Sequence, residues 1–483
     1  MANLTVEQRL QQLFEDWAGE PPSLVLPLAP SGSARIYYRL QSATKSAIGA
    51  YNPDLRENTA FIRFSQHFHQ KGLPVPEIFA ENLEQHIYLQ EDLGFTTLYS
   101  YLLKKDDYFP DYLIRIYKRT VEQLAHLQIT GSEGLDYSLC YPRADFDRQS
   151  MQWDLNYFKY YFLRLAGAVF DEQALEDDFN RLSDFLLEAP SNYFMFRDFQ
   201  TRNIMIKAGE PYFIDYQGGR RGALQYDLAS LLFQAKANIP DDIRLELLNH
   251  YIEVASRLVP IDREQFIQQY YGFALIRCVQ VLGAYGFRGL YERKEHFLQS
   301  IPYAIRNLKW LLDHEKLTIE LPALRASADQ IIRSKKFEPF DKIKASSSFL
   351  QVRIASFSYK GGIPEDPSGN GGGFVFDCRF INNPGRYEPY KKLTGRDEAV
   401  INFLKHHSQM DRFLDDVFRI VDRAVEDYIE RSFTDLQINF GCTGGQHRSV
   451  FAAEQLARHL TDKYGLQIQL THIEQEKKGW KNG

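Results

Sequence analysis

The pattern of apolar and polar positions changes character three times along the chain. Leu4, Leu10, Leu13, Phe14 and Trp17 fall at helical spacing and predict a helix over 4–17, which Pro21 and Pro22 stop. Short strand-like runs follow at 24–28, 36–40 and 46–50, then a helix over 55–70 and a strand over 87–90. Helical periodicity next dominates, over 112–128, 153–170 and 172–188, then 227–234, 241–258, 263–285 and 303–314, with a turn expected over 283–289. Between these two helical blocks lies a passage of another kind. Tyr193 to Phe196 is apolar, 197–203 is polar, and Ile204 to Ile206 is apolar again; Gly209-Glu210-Pro211 then returns the chain into Tyr212-Phe213-Ile214 as a hairpin. Residues 325–348 are polar and weakly periodic, as in a linker. Beyond them the pattern alternates strands (352–358, 374–380, 436–440, 466–473) with helices (411–431, 450–460).

This order predicts an α+β chain. A small amino-terminal β-sheet lobe meets a larger helical lobe at the polar step Glu91-Asp92-Leu93-Gly94, a hinge whose backbone groups could pair with an adenine edge. Together they form one two-lobed domain over 1–322. A linker spans 323–348, and a separate α/β domain occupies 349–483.

The hairpin passage carries the chemistry. Asp198 and Asn203 sit five residues apart in a polar loop, and Asp215 closes the strand that follows. Two carboxylates and an amide at strand ends suit phosphoryl transfer. Asp198 would accept the proton of an attacking hydroxyl, while Asn203 and Asp215 would hold Mg²⁺ on the phosphates of ATP. Upstream, Ser31-Gly32-Ser33 forms a flexible turn between two strands, which can lay backbone N–H groups over phosphates, with Arg35 as a phosphate contact. The third strand, where kinases keep a phosphate-gripping lysine, reads Ser46-Ala47-Ile48-Gly49-Ala50, with nothing basic inside it.

The run Phe196-Arg197-Asp198 through Asn203, with Asp215, resembles the catalytic loop and metal-binding Asp of the aminoglycoside phosphotransferase-like kinases. Phe196 stands where His is usual. Ser31 to Arg39, Glu57-Asn58, Glu91 to Gly94, Arg197-Asp198 and the run from Arg277 to Gly283 are most similar to the anomeric amino-sugar kinases, which phosphorylate N-acetylglucosamine or N-acetylmuramate. The resemblance covers about 20–315 and implies a two-lobed protein-kinase-like fold. It also implies nucleotide contacts at Ser31, Gly32, Ser33, Arg35, Glu91 and Asp92, with substrate contacts at Arg202, Arg221 and Asp227. Arg277, in an apolar helix, is expected to be a paired cleft charge.

In the last domain, Cys442-Thr443-Gly444-Gly445-Gln446-His447-Arg448-Ser449 follows a strand and opens a helix, a combination that binds anions. Cys442 to Arg448 has the spacing of a cysteine-phosphatase loop. The domain as a whole, however, resembles the carboxyl-terminal domain of the RapZ RNase adapter proteins, through Ser356 to Lys360, Phe376 to Phe380, Asn382-Asn383-Pro384, Leu393-Thr394-Gly395 and the loop itself. That resemblance implies binding of an amino-sugar phosphate or nucleotide sugar and, in some members, RNA. The reading is therefore an ATP- and Mg²⁺-dependent sugar kinase joined to a metabolite sensor that adjusts its output. Its rival is a non-catalytic, pseudokinase-type regulator.

Composition narrows these readings without changing them. A net charge of −6, with 25% charged and 44% hydrophobic residues, describes an ordinary globular chain and argues against one devoted to nucleic acid. Lys477, Lys478 and Lys481 are too few to make a basic face for RNA. The four cysteines, far apart, predict neither a disulfide framework nor a metal site. With no apolar leader or spanning run, a soluble cytoplasmic protein is expected.

Overall fold

Alternation of side chains along five short strands builds the first sheet. These are β1 (Leu24–Pro27), β2 (Ile36–Gln41), β3 (Ser46–Tyr51), β4 (Ile78–Asn82) and β5 (Ile87–Gln90), antiparallel in the order β1-β2-β3-β5-β4. Leu40, Ala47, Ile87 and Leu89 point to one face and pack on Leu10 and Phe14 of the helix Val6–Ala18. Gly49 is required there, because a Cβ would fall 2.7 Å from a Leu40 methyl. Period two then sends Tyr37, Arg39, Ile48, Ala50, Tyr88 and Gln90 to the other face. β4 has no counterpart among the sequence-based strands.

The structure is a computed structural model that describes residues 4–28, 35–103, 109–337, 340, 350–366, 372–430, 433–464, 466 and 468–477. It divides into two compact units, Met1–Phe340 and Asp341–Gly483.

The rest of the first unit is largely helical. The helix Arg263–Tyr285 is buried on most sides and packs against the helices Arg148–Phe158, Leu224–Leu232 and Ile301–Asp313. Four short strands sit at its edge: β6 (Tyr193–Met195) pairs with β9 (Arg220–Gly222), and β7 (Ile204–Lys207) with β8 (Glu210–Phe213). The expected 7–8 hairpin is thus present, with Ile204 opposite Phe213. The expected turn over 283–289 is instead a wider helical turn, Gly286–Tyr291, continuing the long helix. Gly286 allows it, since a Cβ there would lie 1.9 Å from the carbonyl oxygen of Tyr161.

The stretch read as a linker, 323–348, begins otherwise. Pro322–Arg333 is a helix whose Leu324, Ser327, Ala328 and Ile331 are buried, at the three- and four-residue spacing of an amphipathic face. The first unit accordingly extends to Phe340.

The second unit holds an all-parallel sheet, β11-β12-β10-β13, built from β10 (Gln351–Ser358), β11 (Phe374–Asp377), β12 (Asp435–Cys442) and β13 (Ile468–His472). Parallel neighbours need crossovers, and the helices Met410–Glu430 and Arg448–Tyr464 serve as two of them, closing a core of Val417, Val421, Ile438, Phe440 and Leu456. Against expectation, β11 stops at Asp377, β12 runs on to Cys442, and the last long helix starts at Arg448. Among the described residues, no helix is long and apolar enough to cross a membrane.

Candidate active site

β6 delivers the chain into the polar loop at Phe196, whose ring is buried edge-on against Phe199, Phe213 and Tyr216. Phe196 thus sits at the centre of an aromatic cluster that anchors the start of the loop. The next turn is fixed by Asp227, whose carboxylate accepts the N–H groups of Phe196 (2.7 Å) and Arg197 (3.0 Å) and the Gln128 amide (2.9 Å). Asp227 is fully buried, and burial pushes its carboxyl up to about 7 against the pull of those donors. This corrects the expectation that Asp227 contacts substrate; it shapes the loop from behind.

Arg197 adopts a left-handed backbone (φ 82°) and turns inward, donating to Asp154 and to the Tyr226 hydroxyl, each at 2.6 Å. With its neighbour committed inward, Asp198 faces out; its side chain is 55% exposed, with Arg277 Nη2 at 3.4 Å. Arg277 also donates to Ser230, so the helix Arg263–Tyr285 supplies a buried cation beside the candidate base. Asn203 joins the other two groups: its Nδ2 donates to the Asp198 carbonyl (2.9 Å) and approaches Asp215 Oδ2 (3.4 Å). The structure therefore brings Asp198, Asn203 and Asp215 together. Asp215 is a second non-glycine residue in the left-handed region, φ 73°.

These donors suit a hard cation. The Asn203 amide oxygen and the Asp215 carboxylate could serve as oxygen ligands, and no group of three or more His, Cys, Asp or Glu among the described residues could hold a metal by itself. Two protein oxygens completed by phosphate and water is the pattern of Mg²⁺ in phosphoryl-transfer sites.

Arg35 donates to Asp215 (2.7 Å) and Glu57 (2.6 Å), and Glu57 also accepts from Asn52 (2.9 Å). Ser31, Gly32 and Ser33 lie outside the described residues. At the expected hinge, Asp92 is held by Arg39 through two bonds of 2.5 and 2.8 Å and by the Ser46 hydroxyl. Its carboxylate is thereby spent within the protein. Glu91 pairs with Lys207, and its backbone N–H donates to Glu77. Arg39 stacks 3.6 Å over the exposed Phe95 ring. An open groove of about 550 Å³ runs beside these groups, lined also by Leu26 and Phe79.

Arg202 is exposed and lies over the Tyr99 ring; Arg221 lies over Tyr137 and pairs with Asp145. The partners Glu57, Asp154 and Arg39 carry no assigned role in the sequence reading. Glu57 alone had a local signal, as an acid in the first turn of a helix capped by Asp54.

In the second unit, Cys442 ends β12. Its thiol accepts from the Gly445 N–H and lies 3.2 Å from the Ser449 hydroxyl. Burial alone would raise its pKa; Ser449, Arg448 and the loop amides outweigh that and lower it. The thiol is nevertheless shielded, Cys442 being 2% exposed. Arg448 donates through Nη1 to the carbonyls of Arg379 (2.9 Å) and Ile381 (2.8 Å), bracing the segment after β11, while its buried Nε has no hydrogen-bond partner among the described residues. Gln446 and His447 likewise bond to backbone at 390–393. Thr443 and Gly444 remain exposed at the mouth. Gly445 is needed for its φ of 63° and for its close approach to Glu474. With the thiol shielded, what the loop exposes at its mouth is the backbone of Thr443 and Gly444.

Comparison with known proteins matches residues 26–263 to the phosphotransferase enzyme family and residues 350–476 to the RapZ C-terminal domain. Curated relatives include a nucleotide-binding protein of Dinoroseobacter shibae, 36% identical over 163 residues, which are 32% of this chain and 52% of that protein. Another, from Endomicrobium trichonymphae, is 38% identical over 132 residues, covering 27% of this chain and 44% of its own length. The chain thus spans about half the length of the curated relatives it matches. Similar solved structures include choline kinase LicA from Streptococcus pneumoniae, with 15% identity, TM-score 0.41, and 63% of this chain and 98% of that one covered. Aminoglycoside phosphotransferase APH(4)-Ia is similar at 12% identity and TM-score 0.41, covering 62% of this chain and 96% of that one.

Proposed function

We propose that this chain, which joins a domain of the phosphotransferase enzyme family to a RapZ C-terminal domain, transfers the γ-phosphoryl group of ATP to a hydroxyl of a sugar or amino sugar such as N-acetylglucosamine or N-acetylmuramate. One observation carries the reading. Asn203 ties the outward-facing Asp198 to Asp215, so a candidate base and two oxygen ligands share one edge of the helical lobe. Asp198 accepts the acceptor's proton, and Arg277 keeps its carboxylate directed. Asn203 and Asp215 would hold Mg²⁺, which neutralises charge on the phosphates when bound. The protein's share of the rate is positioning and electrostatics.

The test is an ATP-consumption screen over N-acetylglucosamine, N-acetylmuramate, glucosamine and aminoglycosides, with the phosphorylated position read by phosphorus NMR. Turnover with one of the sugars, falling about 10²–10⁴-fold in Asp198→Ala, supports the reading. Nucleotide binding without turnover on any acceptor would make the first unit a non-catalytic regulator.

The second unit is proposed to bind an amino-sugar phosphate or nucleotide sugar on the exposed backbone of Thr443 and Gly444, at the start of the helix Arg448–Tyr464. Gly444 has nothing within 4 Å of where a Cβ would lie. Gly444→Ala should therefore keep the fold while crowding the ligand. Calorimetry with glucosamine 6-phosphate should find binding to the parent chain and clearly weaker binding to this variant.

A further inference from the structure

We infer that Lys236 and Arg202 together bind a carboxylate carried by the acceptor, so that the sugar this chain phosphorylates is an acidic one. The inference rests on the kinase reading above and deepens it by naming the class of acceptor.

Lys236 follows the helix Leu224–Leu232 in the short turn Ala235–Ala237, partly buried between two buried alanines. That turn is fastened to the loop that holds Asp198, because the Gln234 side-chain carbonyl accepts the Thr201 N–H at 3.0 Å. The bond brings Lys236 close enough to feel the charge of Arg202, which is exposed and lies 4.4 Å over the Tyr99 ring. Among the described residues neither side chain makes an ion pair or a hydrogen bond, in a chain whose net charge is −6. Burial, and then Arg202, lower the Lys236 pKa to about 8. Two neighbouring cations without a carboxylate, one of them partly buried, cost the fold stability. Charges kept at such a cost beside a reactive loop mark a ligand site, and here the missing partner is an anion.

Position points to the acceptor rather than the nucleotide. Asn203 approaches Asp215, where the metal and phosphates are proposed, whereas the adjacent Arg202 is turned to Tyr99. Gln200 and Gln234 line a small cavity together with Arg277, which flanks Asp198. Arg202 and Lys236 each stand two residues beyond one of these glutamines. A sugar whose hydroxyl reaches Asp198 there would extend a substituent toward the two cations. The N–H groups of Thr201 and Asn203 are spent on Gln234 and on the Gln200 carbonyl, so what the loop offers an anion is side chain. A guanidinium fork matches the two coplanar oxygens of a carboxylate, with the lysine as a point charge beside it. Of the acceptors named above, N-acetylmuramate carries such a group, its lactyl carboxylate, and N-acetylglucosamine does not.

The test is calorimetry on the full chain with these two sugars, which differ by that carboxylate. The parent should bind N-acetylmuramate at least about 10-fold more tightly than N-acetylglucosamine. Lys236→Gln and Arg202→Gln should each cut that preference about 3–10-fold, and the double variant should bring it near one. Neither change threatens the fold, since the first removes an unpaired cation and the second an exposed side chain. A parent without the preference, or a preference that survives in the double variant, would overturn the inference. So would a loss of Mg²⁺–AMP-PNP affinity as large as that for N-acetylmuramate, which would give the pair to the nucleotide. Selective binding of N-acetylmuramate without phosphoryl transfer would instead remove the kinase reading and leave the carboxylate site standing.

Discussion

Two aspartates around the same loop stand in opposite environments. Asp198 projects from the loop and Asp227 is sealed behind it. Asp198→Ala should cut turnover about 10²–10⁴-fold with little change in melting temperature. Asp227→Ala should instead leave the N–H groups of Phe196 and Arg197 buried and unpaired, at roughly 1–3 kcal/mol each, and lower Tm sharply. Melting curves on both variants check this. Lys236 offers a second test. Burial, and then the charge of Arg202, lower its pKa to about 8. An unfolded lysine holds its proton to about 10.4, so between these values the unfolded chain binds more protons and stability rises with pH. Across pH 8–10 the parent should gain stability that Lys236→Met does not, as melting at both pH values would register. At this scale the sequence was legible where chemistry is local. Asp198, Asn203 and Asp215 lie within one hairpin passage. Arg35 finds Asp215 across 180 positions, and Arg39 finds Asp92 across 53, so no window of sequence holds either pair.

Elements were legible in proportion to their periodicity. The helices Leu55–Gln70 and Arg263–Tyr285 have the bounds their patterns predict, each begun by an Asp cap. What periodicity missed was tertiary. β4 is exposed enough to lack an alternating signal and is specified by pairing with β5. Pro322–Arg333 looks polar because only one face packs. The turn expected over 283–289 is instead the helical turn Gly286–Tyr291, where a close approach to the Tyr161 carbonyl requires a glycine at 286. Gly286→Ala should therefore cost about 1–3 kcal/mol by overpacking, more than the few tenths expected of a surface Gly→Ala change. A urea titration would measure it as a lower midpoint with unchanged slope. The same reasoning explains the Cys442–Ser449 run. Its spacing is that of a reactive-thiol loop, and only tertiary contacts show that the thiol is buried and that Nη1 of Arg448 is held by carbonyls beyond β11.

At the level of the whole molecule, the two units keep separate cores. The clusters around Phe64, Leu124 and Phe273 and around Leu10 and Leu40 belong to the first, and that around Val352 and Phe440 to the second. With no core residue in common, the chain has two natural cooperative units, and heating it intact should give two transitions. Each ligand then labels its own. Mg²⁺–ATP at a hundredfold its Kd should add about 2.7 kcal/mol to the first unit, and glucosamine 6-phosphate at the same excess should add as much to the second. A sensing role for the second unit would demand something further. A factor by which the sugar phosphate alters ATP affinity must reappear, by linkage, as the factor by which ATP alters sugar-phosphate affinity. Calorimetry run in both orders on one preparation should return a single coupling factor. A factor of one in both orders would mean two binding activities on one chain with no regulation between them, whereas a shared factor above about five would establish the second unit as the first one's sensor.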